Sequence, residues 1–83
     1  MKYLLFVCFN TGLMHNAAHA SLKAILKSVG QLVEDEDAVF EGGELPSVHE
    51  LKAHLNIYDD YTGYLSDGTW FHVQPRNIFT SIK

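Results

Sequence analysis

The run Tyr3-Leu4-Leu5-Phe6-Val7-Cys8-Phe9 constrains this chain more than any other segment, because it is continuously apolar and rich in aromatic residues. A half-exposed strand would alternate polar and apolar residues, and a surface helix would break the run every third or fourth position. An unbroken, aromatic-rich run therefore predicts a central strand covered on both faces. It is far too short for the ~20 residues of a membrane-spanning helix. The 83 residues leave room for one core, so residues 1–83 read as a single domain. The single cysteine, Cys8, has no intrachain partner, so packing must hold the fold unaided, as in the reducing cytoplasm, and the location expected is cytoplasmic.

The same N-terminus imitates a secretion signal, with Lys2 ahead of the apolar block and Ala18-His19-Ala20 as an A-x-A cleavage site. Asn10-Thr11-Gly12 and His15-Asn16 interrupt the stretch that such a signal would need to continue. Cleavage after Ala20 would also destroy the best strand and the best helix. The segment is accordingly read as structure, with a secreted remainder as the alternative.

Beyond the strand, Met14, Ala18, Leu22, Ile25 and Val29 recur at spacings of four, four, three and four. With Asn10 or Thr11 as N-cap and Gly30 as the residue after the last turn, they predict an amphipathic helix of about four turns. A strand followed by a long helix is half of a β-α-β unit. Leu32-Val33 and Ala38-Val39-Phe40 are short β-prone pieces around the acidic run Glu34 to Asp37. Ser47-Val48-His49-Glu50 has the spacing of a capping box, and Val48, Leu51 and Leu55 give the helix behind it an apolar face. From Asn56 the period changes to two. Tyr61 to Leu65 and Thr69 to Val73 flank the turn signal Asp67-Gly68, Pro75 interrupts pairing, and Ile78 to Ile82 can form a final edge strand. The fold class expected is α+β: a ferredoxin-like two-layer sandwich, with a mostly antiparallel sheet and two helices on one face.

Charge is segregated along the chain. All ten acidic residues lie between Glu34 and Asp67, where Lys52 is the only Lys or Arg. The net charge of −4 argues against a dedicated DNA-binding domain, which needs a basic footprint. On the helix predicted from Met14, residues His15, His19, Lys23 and Lys27 form a ladder at steps of four, opposite the apolar stripe. Such a ladder can meet phosphates or an acidic protein surface, or it is an ordinary solvated face. His15 and His19 could hold one side of a metal, but no third ligand stands at a recognisable spacing, so no metal is assigned. The acidic run lacks the order of a calcium loop, Asp59-Asp60 is weak as a magnesium pair, and no nucleophile or phosphate-loop motif is present. No catalytic residue and no cofactor is assigned. Trp70, Tyr61, Tyr64, Phe71 and Phe79 concentrate aromatics in the C-terminal hairpin, and alternation sends Trp70 and His72 to one face. That face could be an aromatic platform for protein pairing or base stacking.

Over residues 1–55 the chain resembles the small ferredoxin-like proteins that include the CRISPR-associated adaptation subunit and virulence-associated protein D. The resemblance rests on Met1 to Phe9 as first strand, a helix ending near Gly30, and Val39-Phe40-Glu41-Gly42 with Glu44-Leu45 before the second helix. It implies a sheet-mediated dimer and, in some members, metal-dependent nuclease activity, with a metal aspartate at the end of the first strand. Asn10 occupies that position here and supplies no negative charge to a divalent ion.

These readings converge on a non-catalytic interaction module: a small acidic inhibitor or adaptor, similar in size and acidity to those of phages and mobile elements, anti-CRISPR proteins included. It is expected to be a homodimer and to bind a protein partner with an acidic or nucleoprotein surface, through His15, His19, Lys23 and Lys27 or through Trp70. Direct nucleic-acid binding is not favoured, and no membrane is expected. The alternative is a metal-dependent ribonuclease of the CRISPR-associated or virulence-associated type.

Overall fold

The computed structural model describes residues 2–76. The elements are β1 (Lys2–Cys8), β2 (Met14–His19), α1 (Leu22–Asp35), α2 (Val48–Tyr58), β3 (Tyr61–Tyr64) and β4 (Trp70–Arg76). The strands form one antiparallel sheet in the order β2-β1-β4-β3, with β1 inside it as the apolar run requires. Both helices lie on one face, which gives the two-layer α+β sandwich expected. The connectivity is β-β-α-α-β-β, so the first strand enters a hairpin rather than a β-α-β unit.

That hairpin is the main correction to the sequence reading. Gly12, at φ +93°, turns the chain back, its N–H donating to the Phe9 carbonyl, while the Phe9 N–H donates to the Leu13 carbonyl at 2.8 Å. Residues 14–19 are thereby laid against β1, with Leu5 opposite Ala17 and Phe6 opposite Asn16. The i+4 spacing misleads because four is an even number: residues four apart share a face of a strand as well as a face of a helix. The only step of three in the stripe, Leu22 to Ile25, falls inside the true helix. Its start is marked by Ser21, whose Oγ accepts from the Ala24 N–H at 3.2 Å.

Gly30 does not end α1. Leu32 and Val33 continue the stripe of Leu22, Ile25 and Val29 and pack on the core, so they belong to the helix and form no strand. Termination comes at Asp37, which takes the left-handed conformation at φ +50° while its N–H donates to the Glu34 carbonyl. The capping box of α2 is present as expected. The Ser47 Oγ accepts from the Glu50 N–H, and a Glu50 carboxylate oxygen accepts from the Ser47 N–H at 2.9 Å. Leu51 and Leu55 are buried, whereas Val48 stays exposed. Pro75 continues β4 opposite Tyr3, because β3 has already begun only at the position opposite Val73 and leaves β4 a single neighbour there. Ile78 to Ile82 and Phe79 lie outside the described residues.

The core fills the space between the layers. Leu5, Val7, Phe71 and Val73 form its floor on the two inner strands, and Ile25, Val29, Leu51 and Leu55 its roof. Phe40 closes the side over β3, its ring centroid 6.1 Å from that of Phe71. A Cβ at Gly63 would collide with both rings, so glycine is what lets them meet over β3. The expected Ala38-Val39-Phe40 strand is reduced to a bridge between Phe40 and Leu65, with the Ser66 N–H donating to the Val39 carbonyl and the Glu41 N–H to the Tyr64 carbonyl.

Two substitutions test these assignments by urea denaturation. Gly30→Ala should stabilise the protein by about 0.5–1 kcal/mol, since the position is helical with open space around it. A glycine that terminated the helix in the left-handed region would give the opposite sign. Ser47→Ala should lower stability by about 1 kcal/mol through the lost cap.

Candidate functional site

A four-stranded sheet with helices on one side has a second face, and along each strand every other residue points to it. The register arranges those residues in rows across the sheet. One row runs Met14, Cys8, Trp70, Tyr64; the next runs Asn16, Phe6, His72, Thr62; the third holds Ala18, Leu4 and Gln74. Met14 is 61% exposed and Tyr64 54%, while Leu4, Phe6, Cys8 and Trp70 are half-buried by their neighbours within the sheet. The sequence reading expected β1 covered on both faces. Only the side of Leu5 and Val7 is, because both helices are spent on it.

This face is held in shape by its own contacts. The Phe6 and His72 rings lie 6.3 Å apart, and His72 Nδ1 shares a hydrogen bond with Thr62 Oγ1 at 2.8 Å. No carboxylate stands on it among the described residues, and Lys2 lies at one corner. Charge depletion together with Met, Trp and Tyr is the composition of an interface core. Trp70 lies inside the row, between Cys8 and Tyr64.

The ladder is not assembled as a row. His15 and His19 stand on β2 and point to the helix side; Lys23 and Lys27 stand on the exposed flank of α1. What the fold brings together instead is a groove of about 270 Å³ between β2 and α1, lined by His15, His19, Ser28, Gln31 and Asp35 over an apolar bed. His19 Nε2 comes within 3.5 Å of Ser28 Oγ, and the Gln31 amide donates to Asp35 at 2.9 Å. Asp35 and Ser28 are participants that sequence reasoning missed, because α1 had been ended before them or their side of it paired with nothing.

The metal position of the resembled family is Asn10, whose amide donates to Asp67 in the β3–β4 turn at 3.4 Å. Asp67 is itself committed, accepting from the Thr69 N–H at 2.9 Å. Asp59 caps α2 at φ +66°, so it and Asp60 do not converge with other acids. Among the described residues no three His, Cys, Asp or Glu side chains are placed to hold a metal ion. A larger cavity of about 460 Å³ lies between α2 and the sheet end. Its charged and amide side chains, Lys52, Asn56 and Asp59, are all exposed and give it nothing rigid to orient a ligand. No described helix is long and apolar enough to cross a membrane.

No family model, curated protein or solved structure matches this chain. Of the resemblance seen in the sequence, the small α+β sandwich with an antiparallel sheet is what the structure carries.

One titration reports on the helix-side core. Tyr61 packs edge-on to His54, centroids 5.0 Å apart, and near Phe71. Burial raises the Tyr61 phenol above its usual range of about 10, and the Glu50 carboxylate adds to the shift. The folded state therefore holds this proton more tightly than the unfolded state. Its contribution is complete below about pH 10 and is lost as pH rises further. Chemical denaturation across the alkaline range should show that decline, and Tyr61→Phe should flatten it.

Proposed function

We propose that this protein is a non-catalytic interaction module that binds a protein partner through the uncovered sheet face, with Trp70 as anchor. The observation that supports this reading most is the row Met14, Cys8, Trp70, Tyr64: apolar and aromatic, crossing all four strands, on a face without a carboxylate among the described residues. A partner surface that covers this row removes apolar area from water without stranding a charge. The exposed flank carrying Lys23 and Lys27, with His15 and His19 on the adjoining strand, is a secondary contact for acidic groups at the rim. There it would act on association rate more than on affinity. The module is a homodimer working in the cytoplasm, an inhibitor or adaptor of the kind that phages and other mobile elements encode, anti-CRISPR proteins among them.

The ribonuclease reading is weakened by the chemistry at Asn10. A metal-dependent nuclease needs converging carboxylates, and the first-strand position that would supply one holds an amide already bonded to Asp67.

Affinity capture from the native host, with mass spectrometry and titration of the captured partner, tests the proposal. Trp70→Ala combined with Tyr64→Ala should weaken that binding by about a hundredfold or more, the scale of a lost aromatic anchor, with little change in far-UV circular dichroism. Lys23→Glu should act chiefly on association rate and its salt dependence. Unchanged affinity in the aromatic double variant would refute the sheet-face reading. RNA and single-stranded DNA incubated with magnesium or manganese should stay intact; EDTA-sensitive cleavage would instead establish the nuclease.

A further inference from the structure

The two edges of the sheet are treated differently. The β3 edge is partly covered by residues 39–41, which bond to residues 64–66. The β2 edge, among the described residues, is bare. It carries none of the devices that discourage edge pairing: Met-His-Asn-Ala-Ala-His has no proline, no lysine and no bulge.

Which backbone groups it offers follows from the hairpin. Phe9 and Leu13 are a hydrogen-bonded pair, the Phe9 N–H donating to the Leu13 carbonyl. Bonded and non-bonded pairs alternate along an antiparallel ladder, so His15, Ala17 and His19 bond toward β1. Met14, Asn16 and Ala18 then present N–H and C=O outward.

We infer that β2 pairs antiparallel with β2 of a second copy, joining two sheets into one across a two-fold axis at Asn16. Outward groups must face outward groups, which restricts Met14, Asn16 and Ala18 to partners from the same set. Only with Asn16 on the axis are all three used: Met14 meets Ala18 of the second copy, Asn16 meets its own counterpart, and Ala18 meets Met14. Side-chain sizes match in that register. The exposed Met14 lies over an alanine on the open face, and His15 lies over Ala17 on the helix side.

Charge supports the same arrangement. The first half of α1 carries Lys23 and Lys27 and no acid in its first turn; its end carries Glu34 and Asp35 and no base in its last turn. Gln31 and Asp35 face the groove over β2, and Lys27 stands one helical turn before Gln31 on that flank. A two-fold axis through the β2 seam sets the two copies of α1 antiparallel above it. The basic half of each then lies beside the acidic end of the other, an isologous contact between opposite charges. A head-to-tail contact through the same surfaces would leave bare edges and grow into a filament. The joined sheet also carries two copies of the Trp70 row on one continuous face, so a partner with two such contacts gains by effective concentration.

This inference deepens the dimeric part of the proposed function and rests on it. Sedimentation equilibrium over a dilution series, at low and high salt, is the test. The wild type should dimerise, and more weakly as salt rises. Asn16→Pro removes an outward N–H and no bond to β1, so it should give a folded monomer by circular dichroism. Lys27→Glu should raise the dimer dissociation constant by about tenfold or more, since the change occurs twice in each dimer. Adding Asp35→Lys to Lys27→Glu should restore it, because exchanged charges again meet their opposites. That rescue also keeps the test decisive if the proline variant does not fold. A monomeric wild type would overturn this pairing and the dimeric reading together. A dimer that survives Asn16→Pro in the folded state, or a charge exchange that fails to rescue, would overturn the β2 seam alone and leave pairing through the open face.

Discussion

Two helices cannot cover both faces of a four-stranded sheet, and that constraint shapes the rest of this molecule. Leu5, Val7, Phe71 and Val73 lie under α1 and α2 and are almost wholly removed from water. Their strand neighbours Leu4, Phe6, Cys8 and Trp70 point the other way and remain half-exposed. The one-sided core holds the fold; the uncovered side is what leaves the protein an apolar surface to use. A chain of this length buries a modest share of its surface, so apolar residues left outside are costly unless something covers them.

Within the core, the close approach of Phe40 and Phe71 over Gly63 ties the long connection after α1 to the sheet. It anchors residues 39–41 beside β3 and Leu65, and so partly shields one sheet edge. Nothing equivalent is described at β2, where a groove lies beside α1. Among the described residues the molecule is therefore asymmetric in two senses, with one covered and one open face, and one shielded and one open edge. The proposed partner surface and the inferred seam occupy the open members of each pair.

The charge pattern gains meaning from the same geometry. Acids from Glu34 to Asp67 fall on the end of α1, the connection after it, α2 and its C-cap, the link to β3 and the hairpin tip, and none falls in the open-face rows of the described strands. Net acidity is thus compatible with a sheet face that carries no carboxylate among the described residues. Where those acids cluster, like-charge repulsion discourages contact with other acidic molecules.

Much of the architecture is written locally. The β1 run, the Ser47–Glu50 capping box and the Asp67-Gly68 turn are each specified by a few adjacent residues, and each is found where the sequence puts it. The two-layer class follows from them. Trp70 on a different face from Phe71 is likewise a consequence of strand alternation alone. What the chain could not declare locally was the conformation of residues 14–19, whose steps of four fit strand and helix equally, so the neighbouring strand decided it. With that decision the His15, His19, Lys23, Lys27 ladder dissolved, and the histidines came to face Ser28 and Asp35 instead. Tertiary packing also carried α1 through Gly30, because burying Leu32 and Val33 outweighs glycine's small helical penalty. Which face of the sheet stays open, and which edge stays unpaired, are properties of where two helices and one loop come to rest, and no short stretch of sequence encodes them.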